Sequence, residues 1–216
     1  MSTESSTRRR TTRRAGRDKS DVLRAAAEVI GRRGAESTRF ADVAEASGVP
    51  ISTLQYYFGS REDLLVAVFR HASDTELAAL TAEVAELPEP SSRLVCIVEA
   101  VLSGYRPEAG QGPLWIEAWR FALRDEEMRT DVRRDNSSWR ALVEDAVRGT
   151  LAAYAEQPVP SPILEPARTA VLILALLDGL GLPLALEDPA VRYEEARAMA
   201  LAGVERILGL PTDALV

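Results

Sequence analysis

Apolar residues recur at helical spacing along almost the whole chain, and this periodicity constrains the fold more than any other feature. The first clear stripe follows the i, i+3, i+4, i+7, i+8 pattern of one helix face and comprises Val22, Ala25, Ala26, Val29 and Ile30. No segment shows the two-residue alternation of a half-buried strand. The sequence therefore predicts an all-α protein of about nine helices.

Glycine, proline and capping residues divide the chain into these helices. Gly34 is a plausible stop for the first helix, and Ser37 or Thr38 is expected to cap the second. Gly48 suits a tight turn before a short third helix, and Ser60 is expected to cap the fourth. Further helices are predicted over residues 61–86, 91–105, 112–124, 126–156, 161–187 and 189–208.

The charge is distributed unevenly along the chain. The net charge is −7, but residues 1–60 hold 11 basic against 7 acidic residues (+4), which leaves −11 for residues 61–216. A basic segment on an acidic protein favours contact with a polyanion through one end only. We expect a disordered basic arm over residues 1–17, which is either a solubilising tail or a DNA-contacting arm.

Cysteine content and hydropathy indicate a cytoplasmic protein with no membrane partner. Cys96 is the single cysteine, so no internal disulfide can form, and the N-terminus lacks the apolar run of a secretory signal. The longest apolar stretch, residues 170–186, contains Asp178 and Pro183. A membrane span needs about 20 cleaner residues, so we interpret the stretch as a buried helix.

The stretch GVPISTLQYYFGS, residues 48–60, places hydroxyls, a glutamine and two tyrosines on a short helix. Helical spacing puts Leu54 and Phe58 inward and leaves the polar side chains exposed. Two short helices joined by a glycine turn form a helix-turn-helix, whose second helix enters the DNA major groove. Glutamine can bond adenine, and methyl groups can contact thymine.

The segment TRFADVAEASGVPISTLQYYFGSREDLL, residues 38–65, resembles the DNA-binding domain of the TetR family of transcriptional regulators. The later runs WIEAWRFALRDEEMR and LLDGLGLPLAL resemble the BetI-like branch. Gln55 departs from the tyrosine usual in the family, and Arg61 replaces a lysine. The expected DNA contacts are Thr38, Arg39, Ile51, Ser52, Thr53, Gln55, Tyr56, Tyr57 and Arg61.

This resemblance implies a homodimeric repressor that a small hydrophobic effector releases from a palindromic double-stranded operator. It divides the chain into a helix-turn-helix domain over residues 18–60 and a larger helical ligand-binding and dimerisation domain over 61–216. The helices at about 161–187 and 189–208 are expected to form the dimer. No metal or other cofactor is expected.

Aromatic residues concentrate in the middle helices, where the family places its effector. The candidate effector residues are Glu99, Tyr105, Trp115, Glu117, Trp119, Arg120, Trp139 and Asp178. Ligand sites are mostly apolar with a few placed polar groups, but core packing explains the aromatics equally well. Asp178 is either a structural hydrogen-bonding group or a pocket residue.

Two other function classes are compatible with a helical chain of this composition. One is a constitutive DNA-binding protein without an effector. The other is a small helical enzyme, but the sequence lacks a nucleophile–base pair, a glycine-rich phosphate loop and metal-ligand spacing. We therefore predict a non-enzymatic regulator.

Overall fold

The computed structural model describes the backbone of residues 4–109, 111–155 and 164–215, and side-chain environments from residue 19 onwards. Within these ranges the secondary structure is helical, with no strand, which confirms the all-α prediction. The helices are α1 Glu4–Arg33, α2 Phe40–Ser47, α3 Ile51–Phe58, α4 Arg61–Glu86, α5 Pro90–Gly104, α6 Gln111–Ala122, α7 Glu126–Ala153, α8 Pro166–Ala185 and α9 Tyr193–Leu208.

The backbone of the basic arm differs from the sequence expectation, because α1 begins at Glu4 rather than near Asp18. No proline interrupts residues 4–33, and arginine is a good helix former. Once α1 is nucleated by its apolar stripe, each further residue adds to it at low cost. The arm's side chains lie outside the described residues, and so does its predicted DNA contact.

Local sequence accounts for the α2–α3–α4 segment. Val43 and Leu54 are fully buried, and Gly48 adopts φ +69° at the turn. Ser60 Oγ accepts the Asp63 N–H at 3.0 Å, while the Asp63 carboxylate accepts the Ser60 N–H at 3.2 Å. This reciprocal pair starts α4, as the sequence predicted.

The chain forms two compact units, but their division differs from a boundary after residue 60. The first unit contains residues 1–74 and 114–129, and the second contains residues 75–113 and 130–216. The first half of α4 and most of α6 therefore belong to the same unit as α1–α3. Buried residues such as Leu65, Phe69 and Ala118 lie on these two helices.

Helices α5, α8 and α9 build the core of the second unit. Ile97, Leu177 and Val204, one from each helix, are fully buried members of one apolar cluster. Tyr105 also lies in this cluster. Its ring occupies the space beside Gly181, since a Cβ at Gly181 would lie 2.3 Å from Cδ2 of Tyr105.

The α8 helix is only partly buried in the single chain, which differs from the expectation of a buried helix. It is long and apolar enough to span a membrane by length and hydropathy, and a third of that window is buried. Its exposed apolar side chains include Val171, Leu172 and Leu182. Residues 171, 175, 178, 182 and 186 are all exposed at helical spacing, so they form one outward stripe.

Substituting Gly181 tests the close approach of α8 to Tyr105. We expect Gly181→Ala to lower the free energy of unfolding by about 1–3 kcal/mol, because a rigid ring must move to admit the methyl group. Gly203→Ala is the matched control, since only a Leu176 methyl end lies near its Cβ, at 2.7 Å. Urea unfolding at equal protein concentration measures both. An equal loss of unfolding free energy in the two variants would contradict the close packing of Tyr105 against Gly181.

Candidate nucleic-acid interface and effector cavity

The exposed face of α3 carries most of the predicted DNA contacts. Ile51, Ser52, Gln55 and Tyr56 are exposed, while Thr53 is half-buried. Tyr56 is 86% exposed, which excludes core packing as its role in this chain. Leu54 and Phe58 are buried, so α3 presents its polar face outward, as the sequence predicted.

Two further predicted contacts flank this face. Tyr57 is half-buried, and its ring meets Phe58 edge-on with centroids 6.2 Å apart. Arg39 is exposed and forms the N-cap of α2, where its N–H donates to the Asp42 carboxylate at 2.8 Å. The cap expected at Ser37 or Thr38 therefore lies one or two residues later.

The DNA contact predicted at Thr38 stays a prediction, and its side chain is only 1% exposed. The Thr38 hydroxyl donates to the carbonyl of Gly34 at 2.9 Å. It therefore closes the turn between α1 and α2. The family resemblance suggested this threonine as a DNA contact, but a threonine hydroxyl can equally well donate to a nearby backbone carbonyl.

The phosphate contact predicted for Arg61 stays a prediction, and its guanidinium has partners within the protein. Nε donates to the Thr38 carbonyl at 2.7 Å, and Nη2 donates to the Ala35 carbonyl. Nη1 pairs with Glu62 at 3.0 Å. The two bonds to backbone carbonyls hold the guanidinium against the α1–α2 turn.

Glu117 and Arg120 were predicted as polar groups of an effector pocket, but they bind each other and the α1–α2 turn. Glu117 Oε2 accepts the N–H of Ala35 at 2.7 Å and lies 2.9 Å from Arg120 Nη2. Arg120 also pairs with Glu36. The bond from Arg120 and the one from Ala35 lower the pKa of Glu117 and keep it ionised.

The eight predicted effector residues are divided between the two compact units. Trp115, Glu117, Trp119 and Arg120 belong to the first, with Trp115 half-buried and Trp119 partly exposed. The remaining four, Glu99, Tyr105, Trp139 and Asp178, belong to the second. An effector role for any of these eight residues stays a prediction.

In the second unit, Tyr105, Asp178 and Trp139 make structural contacts. The buried Tyr105 hydroxyl donates to Asp178 Oδ1 at 3.0 Å. Burial raises the pKa of both groups, although the bond from Tyr105 counteracts the rise at Asp178. Trp139 packs against the apolar core. The Asp178 side chain thus has a structural partner.

A cavity of about 620 Å³ opens in the second unit between the end of α4, one face of α5, the start of α9 and the C-terminal segment. Of the predicted effector residues it contains Glu99. The lining residues are Glu83, Leu87, Ser91, Ser92, Val95, Cys96, Glu99, Ala100, Ser103, Tyr193, Ala214 and Leu215. Sequence reasoning missed the others, although residues 92, 96, 99 and 103 of α5 share one helix face.

The cavity has an acidic wall. Glu99 accepts from Arg197 Nε at 2.6 Å, whereas Glu83 makes no ion pair within the described residues. Burial, and then the nearby Glu83 carboxylate, raise the pKa of the Cys96 thiol to about 11. The Arg106 guanidinium lies over the Tyr193 ring, 4.8 Å from the ring centroid. Glu99 and Tyr193 thus each have a cationic partner, which leaves Glu83 as the carboxylate of this wall that attracts a further positive charge.

Comparison with known protein families gives two matches that together cover most of the chain. Residues 22–68 match the model of the tetR family of bacterial regulatory proteins. Residues 90–209 match the C-terminal domain of the BetI-type transcriptional repressors. The second match alone spans more than half of the 216 residues.

Individual relatives agree with these matches. The chain is 22% identical over 181 residues to the HTH-type transcriptional regulator BetI of Vibrio parahaemolyticus, covering 83% of this chain and 86% of that protein. A solved structure from Saccharomonospora viridis, a putative transcriptional regulator in complex with choline, has a TM-score of 0.76 at 21% identity, with 89% and 96% coverage. A putative TetR-family regulator from Rhodococcus sp. has a TM-score of 0.74 at 27% identity, with 89% and 99% coverage.

Proposed function

This chain belongs to the TetR family of bacterial transcriptional regulators, and we propose that it is a cytoplasmic repressor that a small effector releases from DNA. One observation carries the DNA-binding part of the proposal. The buried positions Leu54 and Phe58 turn the groove-compatible side chains of α3 outward. An N-terminal face with hydroxyls and an amide suits direct readout of base edges.

The effector part of the proposal rests on mass action between two conformations. An effector shifts the population only by its difference in affinity for the DNA-binding and the released forms. A site in the second unit can act in this way because α4 continues from that unit into the first. The same helix begins directly after α3.

The cavity favours a small organic cation as effector. Glu83 supplies a carboxylate with no ion pair among the described residues, and Tyr193 supplies an aromatic ring to the lining of the same cavity. The apolar part of the cavity wall includes Leu87, Val95 and Leu215. The choline bound by the Saccharomonospora viridis relative is a ligand of this class and supports the choice.

The outward stripe of α8 supports a homodimer. Leu182 is 46% exposed, and Met199 of the neighbouring α9 is 47% exposed. Burying this apolar surface against a second copy removes it from water, and a twofold axis pairs each stripe with itself. A symmetric dimer in turn fits a palindromic operator.

Thr53 and Gln55 test the reading surface. We expect Thr53→Ala and Gln55→Ala to alter base preference, at a cost of about 1–3 kcal/mol at the affected base pair. Thr81→Ala is the matched control, because this exposed threonine lies in the second unit. Fluorescence anisotropy against single-base variants of a selected duplex measures the effect. If Gln55→Ala left both the DNA affinity and the base preference unchanged, Gln55 would not contact a base edge.

Leu182→Glu tests the dimer. A carboxylate at position 182 should split a dimer that wild type forms at micromolar concentration, because it would be buried without a partner, whereas Asp178 of the same stripe accepts from Tyr105. Leu123→Glu is the control, since this leucine is 77% exposed and lies in the first unit. Sedimentation velocity measures both proteins. A wild-type monomer, or a Leu182→Glu dimer of unchanged affinity, would contradict the assignment.

Choline and its neutral isostere 3,3-dimethylbutan-1-ol test the effector class. We expect choline to raise the melting temperature and to release DNA, because ligand binding stabilises the folded state. The neutral alcohol should do neither at the same concentration. Glu83→Gln should weaken the choline response, whereas Glu86→Gln, on an exposed residue outside the cavity lining, should not. An equal response to both compounds would contradict a cation site.

A further inference from the structure

Both backbone polar groups of Ala35, in the turn between α1 and α2, are bound by charged side chains. The N–H of this buried residue donates to Glu117 Oε2 of α6 at 2.7 Å. Its carbonyl accepts from Arg61 Nη2 of α4. One peptide position is thus held from two helices by side chains of opposite charge, and we call this arrangement the Ala35 clamp.

Neighbouring contacts fix the two side chains of the clamp. Arg120 donates to both oxygens of Glu117, at 2.9 and 3.3 Å. Arg61 donates in addition to the Thr38 carbonyl at 2.7 Å. Hydrogen bonds involving charged groups are stronger than neutral ones and depend steeply on distance and angle. A small shift of either helix therefore breaks the clamp.

The clamp acts directly on the element that places the reading helix. The turn leads into α2 at its N-cap Arg39, and α2 packs against α3. Loss of the Glu117 carboxylate would leave the buried Ala35 N–H without this bond, and an unsatisfied buried donor is costly. The position of α2 and α3 is therefore linked to that of Glu117 and Arg61.

Helices α4 and α6 both continue into the second unit. Residues 61–74 of α4 and 114–122 of α6 belong to the first unit, while residues 75–86 and 111–113 belong to the second. Each helix thus carries one side chain of the clamp in the first unit, and its backbone continues without a break into the second unit. A helix transmits a displacement along its axis because its backbone hydrogen bonds are continuous.

We propose that the Ala35 clamp couples the DNA-reading helices to the second unit, with Glu117 and Arg61 as its positioning residues. The proposal rests on the proposed function, because coupling requires DNA binding through α3. Coupling between sites is reciprocal. DNA binding at α3 must therefore change the second unit even in the absence of effector, and the clamp carries most of this change beside the direct connection from α3 to α4.

Amide hydrogen exchange with and without DNA tests the clamp. The DNA is a duplex selected from random sequence by the wild-type protein, and exchange is followed by mass spectrometry in residues 51–58 and 75–86. In the wild type, DNA should slow exchange in residues 51–58 and alter it in residues 75–86. In Glu117→Ala the first effect should persist and the second should fall by about fivefold.

Two further variants keep the test decisive. Glu117→Gln keeps an acceptor for the Ala35 N–H but loses the ion pair, so it should fold and give an intermediate response even if Glu117→Ala does not fold. Glu126→Ala removes a carboxylate that also pairs with an arginine three residues later, Arg129, in the same unit. It should respond like the wild type. Circular dichroism melting checks that each variant is folded.

Each possible result has a distinct meaning. A full response of residues 75–86 in folded Glu117→Ala and Glu117→Gln would overturn the clamp while leaving the proposed function intact. Absence of any response of residues 75–86 in the wild type, with residues 51–58 protected, would also overturn it. Absence of protection in residues 51–58 of the wild type would instead contradict DNA reading by α3.

Discussion

Burial of Leu54 and Phe58 fixes the rotation of α3 about its axis, and the proposed reading surface depends on this constraint. Both side chains are nearly or fully buried, so Ser52 and Gln55 on the same eight-residue helix are left exposed. A short helix has little stability of its own, and packing of its apolar face supplies most of it. The same contacts therefore stabilise α3 and orient its polar side chains.

The charged residues around α3 serve two different purposes. Arg39 is exposed at the start of α2 and remains a candidate for the phosphate backbone. Arg61, Glu117 and Arg120 instead satisfy backbone and side-chain groups of the α1–α2 turn. In the proposed DNA reading by α3, side chains that hold the α1–α2 turn in place contribute to affinity by preorganising the interface.

The sequence predicted the helical class, the α3 helix and most helix bounds, because these follow from local periodicity and capping. It also placed Leu54 and Phe58 inward correctly. It could not predict the contacts that depend on tertiary partners. Thr38 and Arg61 matched positions of a DNA-binding motif, yet both bind backbone carbonyls. The cavity residue Tyr193 comes from α9, far along the chain from Glu83, so spacing alone cannot bring them together.

Hydroxyl-radical footprinting on a selected duplex tests most directly whether α3 reads DNA within a symmetric dimer. The account predicts two protected segments related by a twofold axis, with their centres about one helical turn or a multiple of it apart. Protection should persist, at reduced affinity, when residues 1–17 are removed. A single asymmetric footprint, or protection that disappears with the arm and is indifferent to changes on α3, would contradict the account.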